Sequence, residues 1–195
     1  MNYWKHSLLS RKKFNGVAED YLLIHKFLDS SKLFYYDIRH RILLHHTYGI
    51  DLCVGKFGEM ISNADNQKVL VRDIAAEHCK EDLMGVVPTL NNWFKSADES
   101  LLDFIKPVHP ADSKLREFIL RPLIMSGLKS TLIITHSNFG IYLVKEFLGI
   151  DYAMELVNHL QPSNINELLS YIRLQDRWQY TPDLEQLKGI ENELS

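Results

Sequence analysis

Apolar side chains at Tyr21, Leu22, Ile24, Phe27 and Leu28 recur at the spacing of one helical face, with Asp29-Ser30-Ser31 close to the end of that helix. From about Asp37 to Phe57 the chain carries Ile, Leu, Val and Cys on several faces, the pattern of a buried central helix, and Gly58 supplies its stop. Asn63-Ala64-Asp65-Asn66 predicts a turn or hairpin tip, and residues 68–72 a short extended piece. Asp73 is placed to cap a third helix over 74–83 that ends near Gly85. Pro88-Thr89 marks the start of a fourth, short helix over 90–94.

Residues 96–112 carry two prolines and no sustained apolar pattern, so the boundary between two modules, 1–97 and 98–195, falls here. Downstream, 114–125 reads as helix and 139–148 as a helix ending at Gly149. Residues 165–178 read as helix again, followed by Thr181-Pro182 and a polar helical tail. The β-branched run 131–135 reads as a strand in isolation.

The two halves look related. Shifted by 91 residues, 45–58 lies on 136–149 with five of fourteen positions identical: His45/His136, Gly49/Gly140, Ile50/Ile141, Leu52/Leu143 and Gly58/Gly149. Chance gives about one match. A shift of 94 then pairs Asp82 with Asp176, Pro88 with Pro182 and Leu90 with Leu184. Under this alignment 131–135 becomes the start of a buried helix instead of a strand. The fold expected is all-α, two diverged copies of a ~90-residue four-helix module packed pseudo-symmetrically so that each buries the other's apolar face.

Composition excludes several functions. Twenty-two basic residues against 25 acidic ones give a net charge of −3. There is no bulk attraction to nucleic acid and no basic stripe, and Arg11-Lys12-Lys13 reads as a solvated turn. Two cysteines, Cys53 and Cys79, cannot build a disulfide framework or a thiolate zinc site, which points to core thiols in a reducing compartment. No apolar run approaches the ~20 residues that span a bilayer, and no apolar leader follows Met1. The expectation is a soluble, cytoplasmic protein.

The chemistry concentrates in histidine. Six of the nine histidines lie in the first 78 residues: His6, His25, His40, His45, His46 and His78. His25-x-x-x-Asp29 and His78-x-x-x-Asp82 each place an imidazole and a carboxylate on one helical face, ~5–6 Å apart. Borderline divalent metals such as zinc, iron or manganese accept this mixed nitrogen and oxygen set. His45 and His46 add candidates from the central helix, but neighbouring helical positions diverge by ~100°, so both cannot face one ion. His45 is favoured, because its partner in the second half is also histidine, whereas His46 maps onto Ser137. The candidate metal set is His25, Asp29, His45, His46, His78 and Asp82, enough for one open site or for two ions. A single His-x-x-x-Asp is often an ordinary surface pair, and the competing reading is a buried polar network without metal. Arg39 and Arg41 flank His40 next to this set and can grip a phosphate or carboxylate, or form a plain surface turn. Ser137 lacks the flanking glycines of a hydrolase nucleophile elbow, and no nucleotide-binding glycine loop or His-Glu-x-x-His helix occurs.

The order His6-Ser7, Lys13-Phe14-Asn15-Gly16, Asp20 to His25, Asp29 to Lys32, Arg39-His40-Arg41, His45-His46, Gly49-Ile50, Phe57-Gly58, Val71-Arg72, His78, Glu81-Asp82 and Pro88-Thr89-Leu90 resembles an uncharacterised family of small bacterial and phage proteins, filed among domains of unknown function. Its members end shortly after a tryptophan equivalent to Trp93, so the resemblance covers about half the chain. It implies that His6, His25, Asp29, His45, His46, His78 and Asp82 act together. It implies nothing about activity. It also leads one to expect a glutamate where this chain has Gly55; the second half has Glu146 there. The second half keeps His109, Asp112, Lys114, His136 and Asp176 in corresponding order, with Ile172 where His78 would stand.

Two functions follow as expectations. One is a metal-dependent hydrolase of a phosphorylated or nucleotide-like small molecule, with metal-bound water as nucleophile, Asp82 or Glu81 as ligand or base, and Arg39 and Arg41 on the phosphate. The other is a non-enzymatic phage or bacterial interaction protein with a protein partner and a structural His/Asp network. An enzyme needs an open cleft at the cluster; a binding module can bury it.

Overall fold

A computed structural model describes residues 1–35, 38–95, 97 and 105–160. The helices are α1 (Tyr3–Phe14), α2 (Glu19–Leu28), α3 (Arg41–Leu44), α4 (Thr47–Phe57), α5 (Val71–Asp82), α6 (Leu90–Phe94), α7 (Ser113–Ser126), α8 (Asn138–Phe147) and α9 (Ile150–His159). Among the described residues there are also three 3-10 turns, Asp29–Leu33, Ile38–His40 and Lys129–Ile134. Strands β1 (Met60–Ser62) and β2 (Lys68–Leu70) form one antiparallel hairpin with Met60 opposite Leu70. The protein is therefore mainly helical. Among the described residues no helix is long and apolar enough to cross a membrane. The helix expected over 165–178 and the pairs expected at a shift of 94 lie outside the described residues.

The central helix expected from Asp37 to Phe57 is broken. The chain turns a corner at His45 (φ −86°, ψ 67°) and runs extended through His46 (φ −162°, ψ 173°) before α4 begins. His46 caps α4, its Nδ1 accepting the Gly49 N–H at 3.1 Å. The corner is tight enough that a Cβ on Gly49 would lie 1.8 Å from the Leu44 carbonyl oxygen. Apolar periodicity cannot reveal such a break, because the residues on both sides of it are buried. The same corner recurs 91 residues on. Ser137 accepts the Gly140 N–H, and a Cβ on Gly140 would lie 2.0 Å from the Thr135 carbonyl oxygen. The His45 N–H bonds to Arg41 O, and the His136 N–H to Leu132 O, both at 2.7 Å. The run 131–135 accordingly lies in a 3-10 turn leading to the corner, neither a strand nor the start of α8.

The hairpin fastens the first two helices together. Buried Asn63 accepts the N–H groups of Asp65 and Gln67, and its Nδ2 donates to the Phe14 carbonyl at 2.9 Å. Asp20 accepts the N–H groups of Val17 and Ala64. β2 runs directly into α5, whose first N–H, at Val71, bonds to Glu59 O at 3.0 Å. The helix thus begins two residues before Asp73, which is not its cap. α6 starts after Pro88-Thr89 as expected, and Thr89 and Asn92 form a capping box there.

Tyr21, Ile24, Leu28, Ile42 to Leu44, Tyr48, Ile74, Cys79, Trp93 and Phe94 are buried in one apolar cluster. Leu132 to Ile134, Phe139 and Leu143 belong to the same cluster, so the apolar core continues across the expected module boundary. A smaller cluster of Leu115, Ile119, Val144, Ala153 and Leu156 packs α7, α8 and α9 together. Cys53 and Cys79 are free, buried thiols.

The two helical glycines of α4 separate sterics from propensity. Gly49→Ala should lower unfolding stability by about 3 kcal/mol or more, because the backbone itself must move. Gly55→Ala meets only Phe147 Cε1 at 3.7 Å and should raise stability by about 0.5–1 kcal/mol through helix propensity. Urea denaturation of both variants reads the contrast.

Buried His136 adds an acid sensitivity. Its Nε2 accepts the Val108 N–H at 3.2 Å, and its Nδ1 lies 3.1 Å from Thr135 Oγ1, whose hydroxyl donates to Ile119 O. This network holds the neutral ring protonated at Nδ1. Burial, with a smaller contribution from His109, pushes its pKa down to about 4. The unfolded chain takes up this proton near pH ~6.5, so between there and about 4 it binds more protons than the folded one. Its contribution to stability is complete above that window and is lost as pH falls through it. We expect the melting temperature of His136→Gln to fall less than that of the parent between pH 6.5 and 4.

Candidate metal centre

Helix α5 buries a stripe made of Val71, Ile74, Ala75, His78, Cys79 and Asp82. The first half of the stripe is apolar and enters the core; the last turn presents an imidazole and a carboxylate at positions a core residue would occupy. α2 does the same with Tyr21, Ile24, His25 and Leu28, then ends, so that Asp29 opens a 3-10 turn. The corner before α4 delivers His45. Asp29, His45, His78 and Asp82 thereby converge, with one ligand atom from each lying within 4.8 Å of all the others.

The separations resemble those of ligands around a common ion. His45 Nε2 lies 3.0 Å from His78 Nε2 and 3.3 Å from Asp82 Oδ2. Asp29 Oδ1 lies 3.6 Å from His78 Nε2 and 3.8 Å from His45 Nε2. Metal–ligand bonds of about 2.0–2.2 Å at tetrahedral angles place donors about 3.3–3.6 Å apart. Both imidazoles are 0% exposed, Asp29 is 4% and Asp82 9% exposed.

A second layer of side chains orients this set. His78 Nδ1 meets His25 Nδ1 at 2.9 Å, and His25 Nε2 meets Ser10 Oγ at 2.9 Å. If His78 Nδ1–H donates to His25, the Nε2 lone pair of His78 faces the cluster. Arg41 Nε donates to Asp82 Oδ2 at 3.1 Å, and Lys32 Nζ lies 2.8 Å from Asp29 Oδ2. His40 Nε2 stands 3.8 Å from Asp29 Oδ1. From α1, His6 bonds Glu81 through Nδ1 and stacks on the His78 ring, centroids 3.8 Å apart.

Burial keeps the inner imidazoles in the neutral form that ligates. It pushes His45 well below the ordinary histidine value; His78 is lowered to about 4 by burial and then by His6, and His25 to about 2 by burial and then by His78. Burial alone would raise both aspartates. The nearby His40, His78 and Lys32 outweigh it at Asp29, and His45, His6 and Arg41 outweigh it at Asp82, so both stay well below the usual carboxylate range. Burial disfavours a charged His6, but Asp82 and Glu81 prevail and raise its pKa.

Of the residues singled out in the sequence, Asp29, His45, His78 and Asp82 form the inner cluster, and His25 stands behind His78. His46 does not join them: its Nδ1 is committed to the α4 cap. Arg41 is buried against Asp82, and Arg39 donates to Tyr35 Oη at 3.3 Å. Glu81 is bonded to His6, at the edge of the cluster. Glu146 reaches Lys56 at 2.7 Å, away from the cluster. Nothing in the sequence singled out Ser10 or Lys32, and His6 entered only through the family resemblance. The i, i+4 spacing of His6 and Ser10 was the available signal, and it is hidden because α1 has no apolar stripe to orient it.

No curated protein and no solved structure shows significant similarity to the chain. Residues 1–101 match the family described as a domain of unknown function, DUF6915. That match takes in every donor of the cluster and just over half of the 195 residues, so the chain belongs to the DUF6915 family.

Proposed function

We propose that this protein binds one divalent transition-metal ion through Asp29, His45, His78 and Asp82. The observation that carries this reading is the inner cluster itself, two neutral imidazoles and two carboxylates, all buried, with one donor atom of each within 4.8 Å of the others. Two nitrogens and two oxygens suit zinc best, and they also accept iron or manganese with added ligands. Because the donors are closed in, the first role of the ion is to bind α2, α4 and α5 into one body. Free thiols at Cys53 and Cys79 suit a reducing compartment such as the cytoplasm.

A hydrolytic role towards phosphorylated or nucleotide-like small molecules is the second reading. It is supported by Glu81, a carboxylate with 19% side-chain exposure beside Asp82, which this reading makes the base. Arg41, engaged with Asp82, serves the carboxylate in this reading and leaves phosphate binding to other groups. The recurring corner at His45 and His136 supports reading the second half as a diverged copy, with its imidazole turned to a structural use.

Metal content by plasma mass spectrometry on untagged protein is the test. We expect near one ion per chain, lost in His45→Ala and His78→Ala and kept in His46→Asn, which preserves the cap. Added zinc at a hundred times its dissociation constant should stabilise the fold by about 2.7 kcal/mol. Metal-free protein whose melting temperature ignores added zinc, iron and manganese would leave the cluster as a polar network. A phosphatase and nucleotidase screen of the loaded protein tests the second reading.

A further inference from the structure

We infer that His6, carried on α1 and oriented by Glu81, is a further ligand of the ion, so that metal binding seats α1 over the cluster. The inference rests on the metal reading above and adds to it a residue and a helix.

The His6 side chain is fully buried, and its Nε2 has no hydrogen-bond partner. That nitrogen lies at the edge of the four-residue cluster, 3.5 Å from Asp82 Oδ1, an oxygen that also accepts from the Met1 amine at 2.9 Å. The distance is too long for a good hydrogen bond and suits two donors on one ion that Asp82 chelates through both oxygens, Oδ2 beside His45 and Oδ1 beside His6. On the other side of the ring, Glu81 accepts the Nδ1 proton. A carboxylate behind an imidazole fixes the tautomer that leaves Nε2 with its lone pair forward, the arrangement that metal-bound histidines use.

The docking of α1 rests on polar ties: the Met1 amine bonds Asp82 Oδ1 at 2.9 Å, Lys32 Nζ donates to the Met1 carbonyl, Ser10 meets His25 and Lys13 pairs with Glu77. Its buried residues are His6, Ser7 and Ser10, while Tyr3, Trp4 and Leu8 are 39%, 38% and 37% exposed. Ser7 spends its hydroxyl on Tyr3 O within the helix. The far end of α1 is tied down independently, by Asn63 on the Phe14 carbonyl and by Tyr21 Oη on the Asn15 carbonyl. Between that anchor and Asn2, the helix has polar contacts in place of an apolar face. A bond from His6 to the ion adds a contact at the middle of the helix to these ties.

X-ray absorption at the zinc edge, on the loaded full chain, counts the imidazoles directly. We expect three in the parent protein and two in His6→Ala. Competition with a chromophoric chelator should show zinc affinity falling about 10–100-fold in Glu81→Gln, and at least as far in His6→Ala. Hydrogen exchange should show zinc protecting the α1 amides in the parent and not in His6→Ala, while α5 is protected in both. If His6→Ala fails to fold, the parent's imidazole count and its α1 exchange with and without zinc still decide. Two imidazoles in the parent, or α1 exchange that zinc leaves unchanged, overturns the role of His6 and leaves the four-residue site standing. A parent protein that takes no ion overturns both.

Discussion

Two carboxylates buried in the middle of a helical module are the constraint to which the rest of this structure answers. Removing an ionised carboxylate from water costs several kcal/mol even after relaxation, so Asp29 and Asp82 must be met by charge or by strong donors. Lys32 reaches Asp29, Arg41 and the Met1 amine reach Asp82, and imidazoles from α5, the corner before α4, the 3-10 turn at His40 and, for Asp82, α1 stand around them. Neutral imidazoles bring few protons to this task, and His45 and His78 meet nitrogen to nitrogen at 3.0 Å. A divalent cation among these donors satisfies lone pairs that proton sharing within the cluster satisfies poorly. That is why the burial of the cluster, and not merely its composition, argues for an ion.

How much of this could be read from the sequence differs from one residue to the next. His78 and Asp82 were legible, because α5 is a regular helix and four residues along it return to the same face. His25 and Asp29 share that spacing, but α2 stops at Leu28, so the pair does not act as one face; Asp29 enters the inner cluster and His25 supports His78 from behind. The corner at His45 was not legible from periodicity, since apolar residues on both sides hide it. The close approach of Gly49 to the Leu44 carbonyl is a fact of backbone geometry that a hydrophobic pattern does not encode. It separates two histidines that a continuous helix would have made neighbours, sending one into the cluster and the other to a helix cap. α1 was least legible. A helix that docks through His6 and Ser10 carries no amphipathic signature, because the usual measure counts apolar residues only.

The second half shows what the corner alone provides. His136 occupies the backbone position of His45, with the same N–H bond four residues back and the same glycine packed against a carbonyl. Its ring nonetheless meets a hydroxyl and the Val108 amide, and burial leaves it neutral with both nitrogens engaged. His45, presented in the same way, finds Asp82 and His78 at its Nε2, and its backbone carbonyl is fixed by Trp93 Nε1 at 3.0 Å. The corner is thus a device for pointing an imidazole inward. Whether that imidazole becomes a ligand or a strut depends on what the neighbouring helices bring to it: two aspartates in one half, a backbone amide in the other. The candidate metal cluster therefore depends on α2, its following turn and α5 as much as on the shared corner, which both halves possess.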